Sequence, residues 1–366
     1  MLTAIASTDG ATPGKIISAE PINKFFHSDF TLPHTWKILY HNRPPYDIIM
    51  FTHYYVNQFS EDDLNITILD GYSINPGDIS WSPLKKFGSL TCYDRTADDE
   101  IYDRVHKSDA IFVSKCRIDK KLIDSCASLR FIGVTATGYD NVDLDAAKAR
   151  GIAVFNTPDY STEAVAQHTF ALILELFNHV GDYNRSVHSG DWYQSKDFCY
   201  IRSPLALLSG RSLGIVGYGN IGKKVAEIGR AFGMTINVYS RAPEKTVKSD
   251  ILTLHCPLTP ENAGFIDAEF ISGMKDGAIL INTARGGLID DLAVAEALDR
   301  GKLSAAAIDV LLQEPPVKPH PLVESPHCLL TPHIAWMPIE ARKKVVEICR
   351  DNLDAFLSGG SKNRVV

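Results

Sequence analysis

Three side chains that could together reduce a carbonyl group each follow an apolar run of the sequence. Arg285 follows GAILINTA, Glu314 lies just beyond AAAIDVLL, and His333 follows LLTP. Because open α/β sheets bind ligands beyond the carboxyl ends of their strands, we expect the three side chains to meet at one edge. Each residue alone has a plainer interpretation, since a charged residue at a strand end is usually only solvated and a single histidine is more often structural.

Taken together, the three residue types fit hydride transfer to or from a 2-hydroxy acid. Arg285 can bind the carboxylate through two guanidinium nitrogens and polarise the adjacent carbonyl. His333 can donate a proton to the carbonyl oxygen as hydride arrives and take it back in the reverse reaction. Glu314, hydrogen-bonded to the imidazole, would fix its tautomer and favour its charged form. We predict that all three are catalytic and that Arg285 also binds substrate.

A glycine-rich turn predicts a dinucleotide site. It comprises Gly217, Tyr218, Gly219, Asn220, Ile221 and Gly222, follows LGIV and opens NIGKKVAEIGRAFG. In this strand-turn-helix context, the first glycine permits a tight turn, the second admits a pyrophosphate and the third lets helix and strand pack closely. The helix N-terminus adds N–H groups and the positive end of its dipole. The alternative is that the glycines only make a turn.

The next strand ends in INVYSRAP, where such folds usually present an acid that binds the ribose of NAD. Ser240 and Arg241 occupy that place. A hydroxyl beside a guanidinium relieves repulsion of a 2′-phosphate and offers it a charge-assisted pair, which favours NADP(H) over NAD. A solvated arginine without cofactor preference is the alternative. Only RAPEKTVKSD (241–250) precedes the following strand, so we expect the sheet to lack a peripheral strand there.

The chain alternates apolar strands with helical stretches, which is typical of α/β proteins with parallel sheets. The first block contains ITILDG, AIFVSK, LRFIGVTATG and IAVFNTP, and the second contains SLGIVGYG, TINVYS, ILTLHCP, AILINTARGG and AAAIDVL. A long amphipathic segment, 161–187, separates the blocks. Residues 1–65 show no sustained periodicity, and we assign this leader no role.

Composition excludes several classes of function. At 366 residues with 45% apolar and 22% charged residues, the chain reads as an ordinary globular protein of two domains. A net charge of −7 gives no reason to expect nucleic acid or an anionic membrane as partner. The seven cysteines are scattered without metal-like spacing, so we predict no metal and a cytoplasmic protein.

The motifs, in their order, make the chain resemble the D-isomer-specific 2-hydroxyacid dehydrogenase family over roughly residues 66–366. They are TATGYDNVD (135–143), NTPDYSTEAVAQ (156–167), GYGNIG, LHCPLTPE (254–261), NTARGGLID (282–290), AAIDVLLQEPP (306–316) and TPHIAW (331–336). Within the family, ILDGYSINPGD, WYQSKDFCY (192–200) and TPHIAWMPIEAR resemble the glycerate dehydrogenase or hydroxypyruvate reductase branch. The leader and the short connector have no counterpart in the family's pattern.

The resemblance implies an architecture and further site residues. It implies two Rossmann-like, doubly wound parallel-sheet domains with a cleft between them, the cofactor domain (161–336) being inserted into a substrate domain (66–160 and 337–366). It implies a homodimer supported by the helix near 161–180, and small 2-keto or 2-hydroxy acids as substrates. The implied substrate residues are Ser114, Lys115, Thr137 and Gly138, and the implied cofactor residues are Thr162, His255, Cys256, Pro257, Thr283, Ala284 and Asp309. For Asp309, which would hold the nicotinamide carboxamide, the residues alone favour a carboxylate bound only to its own loop.

Two other functions stay open at this point. One is a non-enzymatic protein like the corepressors that share this fold and sense a dinucleotide; turnover of hydroxypyruvate would exclude it. The other is a dehydrogenase of larger 2-keto acids or of formate, which substrate breadth would reveal.

Overall fold

The computed structural model describes residues 64–239 and 248–366, and these form two parallel β-sheets. The strands of the first sheet are β1 (Leu64–Ile68), β2 (Gly88–Cys92), β3 (Ala110–Val113), β4 (Phe131–Val134) and β5 (Ala153–Phe155), in the order β2-β1-β3-β4-β5. The strands of the second sheet are β6 (Ser212–Val216), β7 (Thr235–Tyr239), β8 (Ile251–Leu254), β9 (Ala278–Asn282), β10 (Leu303–Ile308) and β11 (Cys328–Leu330), in the order β11-β10-β9-β8-β6-β7.

Helices cover both faces of each sheet, which is why most strands are continuous apolar runs. The helices are α1 (Ile101–Val105), α2 (Lys120–Ser125), α3 (Leu144–Ala149), α4 (Thr162–Asn178), α5 (Val180–His188), α6 (Asn220–Ala231), α7 (Ala268–Ser272), α8 (Asp291–Asp299), α9 (Pro321–Glu324) and α10 (Ile339–Leu357). Side chains of β3, β4 and β8 are buried along their whole length. The predicted α/β fold with two parallel-sheet domains is confirmed.

The C-terminal helix packs on the first sheet although it follows the second in sequence. Val345, Val346 and Leu353 of α10 share a core with Phe131 and Phe155. The last residues then return to β5, where the Val365 N–H donates to the Val154 carbonyl at 2.7 Å. The domain that contains the second sheet is therefore inserted into the domain that contains the first.

The amphipathic segment between the sheets forms two helices. It breaks at His179, whose φ of 49° ends α4 and precedes α5. Helix α4 buries Phe170 and Ile173 in a core shared with Leu213 and Val225 of the second sheet and α6. Helix α4 therefore packs against the second sheet.

Strand order in the second sheet reverses between β6 and β8, with β7 on the far side of β6. Such a switch point leaves a crevice at the carboxyl ends of the two strands, where ligands bind in open α/β sheets. Within the described ranges, β7 is the edge strand beside β6, in agreement with the peripheral strand that we expected to be missing.

Across residues 64–239 and 248–366, no helix has both the length and the apolar character needed to cross a bilayer.

Candidate active site

The second sheet collects most of the predicted residues at one edge. All its strands run parallel, so their carboxyl ends lie together. The residues that follow them are Gly217–Gly222 after β6, 255–257 after β8, 283–285 after β9, Asp309 and Glu314 after β10, and His333 after β11.

His333 and Glu314 form a hydrogen-bonded dyad. Imidazole Nδ1 lies 2.6 Å from Glu314 Oε2, and the second carboxylate oxygen accepts the Leu311 N–H at 2.9 Å. Because an ionised carboxylate can only accept, Nδ1 must be the donor, which leaves Nε2 free to exchange a proton with a substrate. The dyad is partly exposed, with 28% of the His333 side chain and 33% of the Glu314 side chain accessible.

The Glu314 carboxyl is held in its charged form. Burial alone would raise its pKa, but the hydrogen bond and charge of His333, the Leu311 N–H and the charge of Lys115 together lower it below the ordinary value. Glu314 is therefore a carboxylate at neutral pH, as the predicted role requires. Lys115, a predicted substrate residue from the first sheet, thus acts on this carboxyl through its charge.

Arg285, which follows β9 of the second sheet, lies beside the loop after β4 of the first sheet. Its Nη1 donates to the Ala284 carbonyl at 2.7 Å, and Nη2 lies 3.1 Å from where a Cβ on Gly138 would stand. The guanidinium of the second sheet and the Gly138 backbone of the first thus meet, as predicted for two groups that bind one substrate. An additional side chain at Gly138 would occupy that contact.

The loop after β4 offers two backbone donors. Within the described residues, the N–H groups of Thr137 and Gly138 have no hydrogen-bond acceptor in the protein. The Thr137 side chain is turned aside, since its hydroxyl donates to the Thr157 carbonyl at 3.1 Å. Two free N–H groups beside a guanidinium form a suitable site for a carboxylate.

The loop after β3 is fixed by Asp70. Its carboxylate accepts the N–H groups of Ser114, Lys115 and Cys116 at 2.8, 2.6 and 3.2 Å. In the sequence, Asp70 is visible only as the residue that follows the apolar run ITIL, because its hydrogen-bond partners lie more than forty residues away. Asp70 is a positioning residue that the sequence did not reveal.

The glycine loop fits a dinucleotide pyrophosphate. A Cβ on Gly217, at φ 90°, would stand 2.6 Å from the Cys256 nitrogen, and one on Gly222 would strike the Gly217 carbonyl, so both positions require glycine. Among the described residues, by contrast, nothing lies within 4 Å of a Cβ on Gly219, and no side chain of theirs caps the helix that begins there. Open space in front of uncapped N–H groups is what an anion at a helix N-terminus needs.

His255 adds a polar atom at the switch point. Its Nε2 lies 3.0 Å from Thr253 Oγ1, while Nδ1 is buried without a partner in the described residues. Burial lowers the pKa of His255 to about 3, so the ring is neutral at physiological pH. A neutral ring with an unpaired nitrogen beside the glycine loop also fits the nucleotide.

The structure corrects one of the two interpretations of Asp309, the carboxylate bound only to its own loop. Its side chain is wholly buried and accepts three donors from the neighbouring loop: Thr331 Oγ1 at 2.5 Å and the N–H groups of Ile334 and Ala335 at 2.9 Å each. Burial would raise its pKa, but hydrogen bonds from His168, Thr331 and the two N–H groups lower it. A contact with the nicotinamide carboxamide stays a prediction, and the carboxylate is not bound only to its own loop.

The other predicted cofactor residues lie around the same edge, and two fall outside the described residues. Thr162 begins α4, and the Thr283 hydroxyl lies 3.2 Å from that of Thr169. Ser240 and Arg241, the residues that favour NADP(H), are not among the residues described. His168, which contacts Thr331, was missed because a histidine in an amphipathic helix gives no distinct signal.

Comparison with known proteins identifies the family. The sequence profile described as D-isomer specific 2-hydroxyacid dehydrogenase, NAD binding domain, matches residues 170–335. A hydroxypyruvate reductase of Blautia hydrogenotrophica is 39% identical over 320 residues, covering 82% of this chain and 99% of that protein. A glycerate dehydrogenase of Methylorubrum extorquens is 38% identical over 277 residues, covering 73% of this chain and 88% of that protein.

A solved structure has the same fold. The NADPH-dependent glyoxylate/hydroxypyruvate reductase of Sinorhizobium meliloti, in complex with NADP and malonate, superimposes with a TM-score of 0.67 at 28% identity, covering 81% of this chain and 94% of that one. The chain therefore belongs to the D-isomer specific 2-hydroxyacid dehydrogenase family and is an NAD(P)-dependent oxidoreductase.

Proposed function

We propose that the enzyme reduces hydroxypyruvate and glyoxylate to D-glycerate and glycolate, using NADP(H) in preference to NAD(H). The relatives named hydroxypyruvate reductase and glycerate dehydrogenase support the substrate class. The observation that carries the proposal is the 2.6 Å contact between His333 Nδ1 and Glu314 Oε2 in the cleft that Arg285 also lines.

The chain's residues divide the chemistry as follows. Arg285, with the Thr137 and Gly138 N–H groups, binds the substrate carboxylate and orients the keto group toward His333. His333, protonated and paired with Glu314, donates its Nε2 proton to the keto oxygen, and the neutral ring is reprotonated from solvent. A bound nicotinamide supplies the hydride that reaches C2. Ser114 and Lys115, in the loop after β3, would face the substrate's C3 group.

The cofactor proposal rests on the residues around the nucleotide. The residues that would line its path are 217–222, Thr162, 255–257, Thr283 and Ala284, and Ser240 with Arg241 would receive the 2′-phosphate. The NADPH-dependent reductase of Sinorhizobium meliloti supports the preference. We further propose boundaries of 66–160 with 337–366 for the substrate domain and 161–336 for the cofactor domain.

A homodimer in the cytoplasm completes the proposal. An exposed apolar surface follows α5, with Tyr193, Phe198 and Ile201 each about nine-tenths accessible or more. An exposed apolar surface of this kind marks protein interfaces. No disulfide joins any of the seven cysteines, which fits a reducing compartment. Sedimentation equilibrium should give twice the mass of the chain.

One parallel assay tests the function. Hydroxypyruvate, glyoxylate, a branched 2-keto acid and formate are each supplied with the appropriate form of NADP(H) or NAD(H). We expect efficient reduction of the first two, with NADPH the better donor, and poor turnover of the others. Absence of turnover with every pair would refute the proposal and favour a dinucleotide-sensing protein.

A further inference from the structure

A hydrogen-bonded network centred on the buried Asp309 lies behind the catalytic histidine. The carboxylate of Asp309 accepts Thr331 Oγ1 before His333 in the chain, and the N–H groups of Ile334 and Ala335 after it. The His333 N–H itself donates to the Asp309 carbonyl at 2.7 Å. One residue at the end of β10 thus holds the backbone on both sides of the imidazole.

Helix α4 contributes the outer member of this network. His168 Nε2 lies 3.1 Å from Thr331 Oγ1 and 3.6 Å from Asp309 Oδ1. The single hydroxyl proton of Thr331 goes to the carboxylate, which can only accept, so His168 Nε2 must donate to the hydroxyl oxygen. The hydrogen bonds therefore run in one direction, from His168 through Thr331 to Asp309.

The backbone at His333 needs such support. Its φ of 55° lies in the left-handed region, which side chains other than glycine seldom adopt and which persists where the surroundings impose it. Glu314 orients the imidazole ring through Nδ1. Within the described residues, its carboxylate accepts no hydrogen bond from the backbone of residues 331–335. The ring and the backbone are thus held by separate carboxylates.

We propose that His168, Thr331 and Asp309 are positioning residues that hold the His333 imidazole in its reactive place. This inference rests on the proposed function, because it assigns how the proton donor of that reaction is oriented. It makes Asp309 act on proton transfer through the loop, in addition to any contact with the cofactor.

Thr331→Val is the direct test, with Thr331→Ser as its matched control. Valine has the shape of threonine without the hydroxyl, whereas serine keeps the hydroxyl. Since small displacements of a reacting group can cost about 100-fold, we expect Thr331→Val to lower kcat with hydroxypyruvate about 10- to 100-fold. Thr331→Ser should stay within about threefold, and the cofactor Kd, read from nicotinamide fluorescence, should stay within about twofold in both.

The two substitutions are then combined with His333→Ala. If Thr331 acts through the imidazole, Thr331→Val should cause no further loss in the His333→Ala enzyme, because the group that it positions is gone. An equal loss in both backgrounds would overturn the inference, as would a loss confined to cofactor Kd. If Thr331→Val does not fold, the pair His168→Leu and His168→Gln is measured in the same cycle with the same criteria. A wild-type enzyme without turnover would refute the proposed function instead.

Discussion

Replacing Glu314 with glutamine changes the charge beside the catalytic histidine with almost no change in size. In the enzyme, the 2.6 Å contact joins a carboxylate to Nδ1 and becomes an ion pair when the imidazole is protonated. Hydrogen bonds to charged groups contribute about 1.5–3 kcal/mol and neutral ones about 0.5–1.5 kcal/mol. Both side chains are close to a third exposed, so we take the low end of the difference, about 1 kcal/mol. We therefore expect Glu314→Gln to lower kcat about fivefold.

The same loss should change the pH dependence. Reduction requires the imidazolium, and the low pKa of Glu314 keeps a stabilising negative charge beside it over the working range. Glu314→Gln removes that charge, so the descending limb of kcat should move toward acid. Steady-state reduction of hydroxypyruvate between pH 5 and pH 9 measures both effects.

The matched control is Glu324→Gln, the same chemical change on an exposed residue of α9. It should leave rate and profile unchanged. An unaltered profile in Glu314→Gln, at unaltered kcat, would refute the reasoning, because it would mean that the dyad contact does not act on proton transfer.

Three further predictions concern the cofactor site and stability. Gly219→Ala should weaken cofactor binding at least about tenfold without lowering Tm, because the new methyl meets no atom of the described residues and lies where the pyrophosphate would bind. Loss of one charge-assisted hydrogen bond to the pyrophosphate is worth about 1.5–3 kcal/mol. Gly222→Ala, whose methyl strikes the Gly217 carbonyl, should lower Tm instead. Burial opposes the charge of Asp250, but hydrogen bonds from Ser212 and Lys275 lower the pKa of its carboxyl from 3.8 to about 2. The stabilisation from this carboxylate is therefore present above pH 3.8 and lost as pH falls through about 2. Asp250→Asn should lower the free energy of unfolding in urea by about 2 kcal/mol at pH 7, and the difference from wild type should shrink toward pH 2. Ser240→Asp should shift preference from NADPH to NADH, and an unchanged ratio of the two kcat/KM values would remove the sequence argument for NADP(H).

The sequence predicted the second sheet well because its strands are buried on both faces. Continuous apolar runs such as ILTL and AILIN cannot be confused with solvated segments, and the residues after them lie at the sheet edge by topology alone. The sequence thus predicts that Arg285, Glu314 and His333 lie at one edge, and the structure places them after β9, β10 and β11 of the second sheet. Strand β2 was missed because its GSLTC is half exposed at an edge and lacks an apolar signal.

What the sequence could not give is hydrogen bonding between distant segments. Asp70 fixes the loop of Ser114, and His168 reaches Thr331 across 163 positions of the chain. Neither contact leaves a local pattern, since a strand-end aspartate and a helical histidine each have common solvated interpretations. Such positioning residues become visible only when the backbone path is known.

The central claim is that Arg285, Glu314 and His333 carry out hydride and proton transfer to a keto acid in one cleft. Single-turnover reaction of hydroxypyruvate with cofactor deuterated at the transferring C4 position, in wild type and His333→Ala, tests it most directly. We predict deuterium at C2 of D-glycerate, with the rate in His333→Ala reduced at least about 100-fold and cofactor binding retained. Product without deuterium, or an unchanged rate in His333→Ala, would contradict the account.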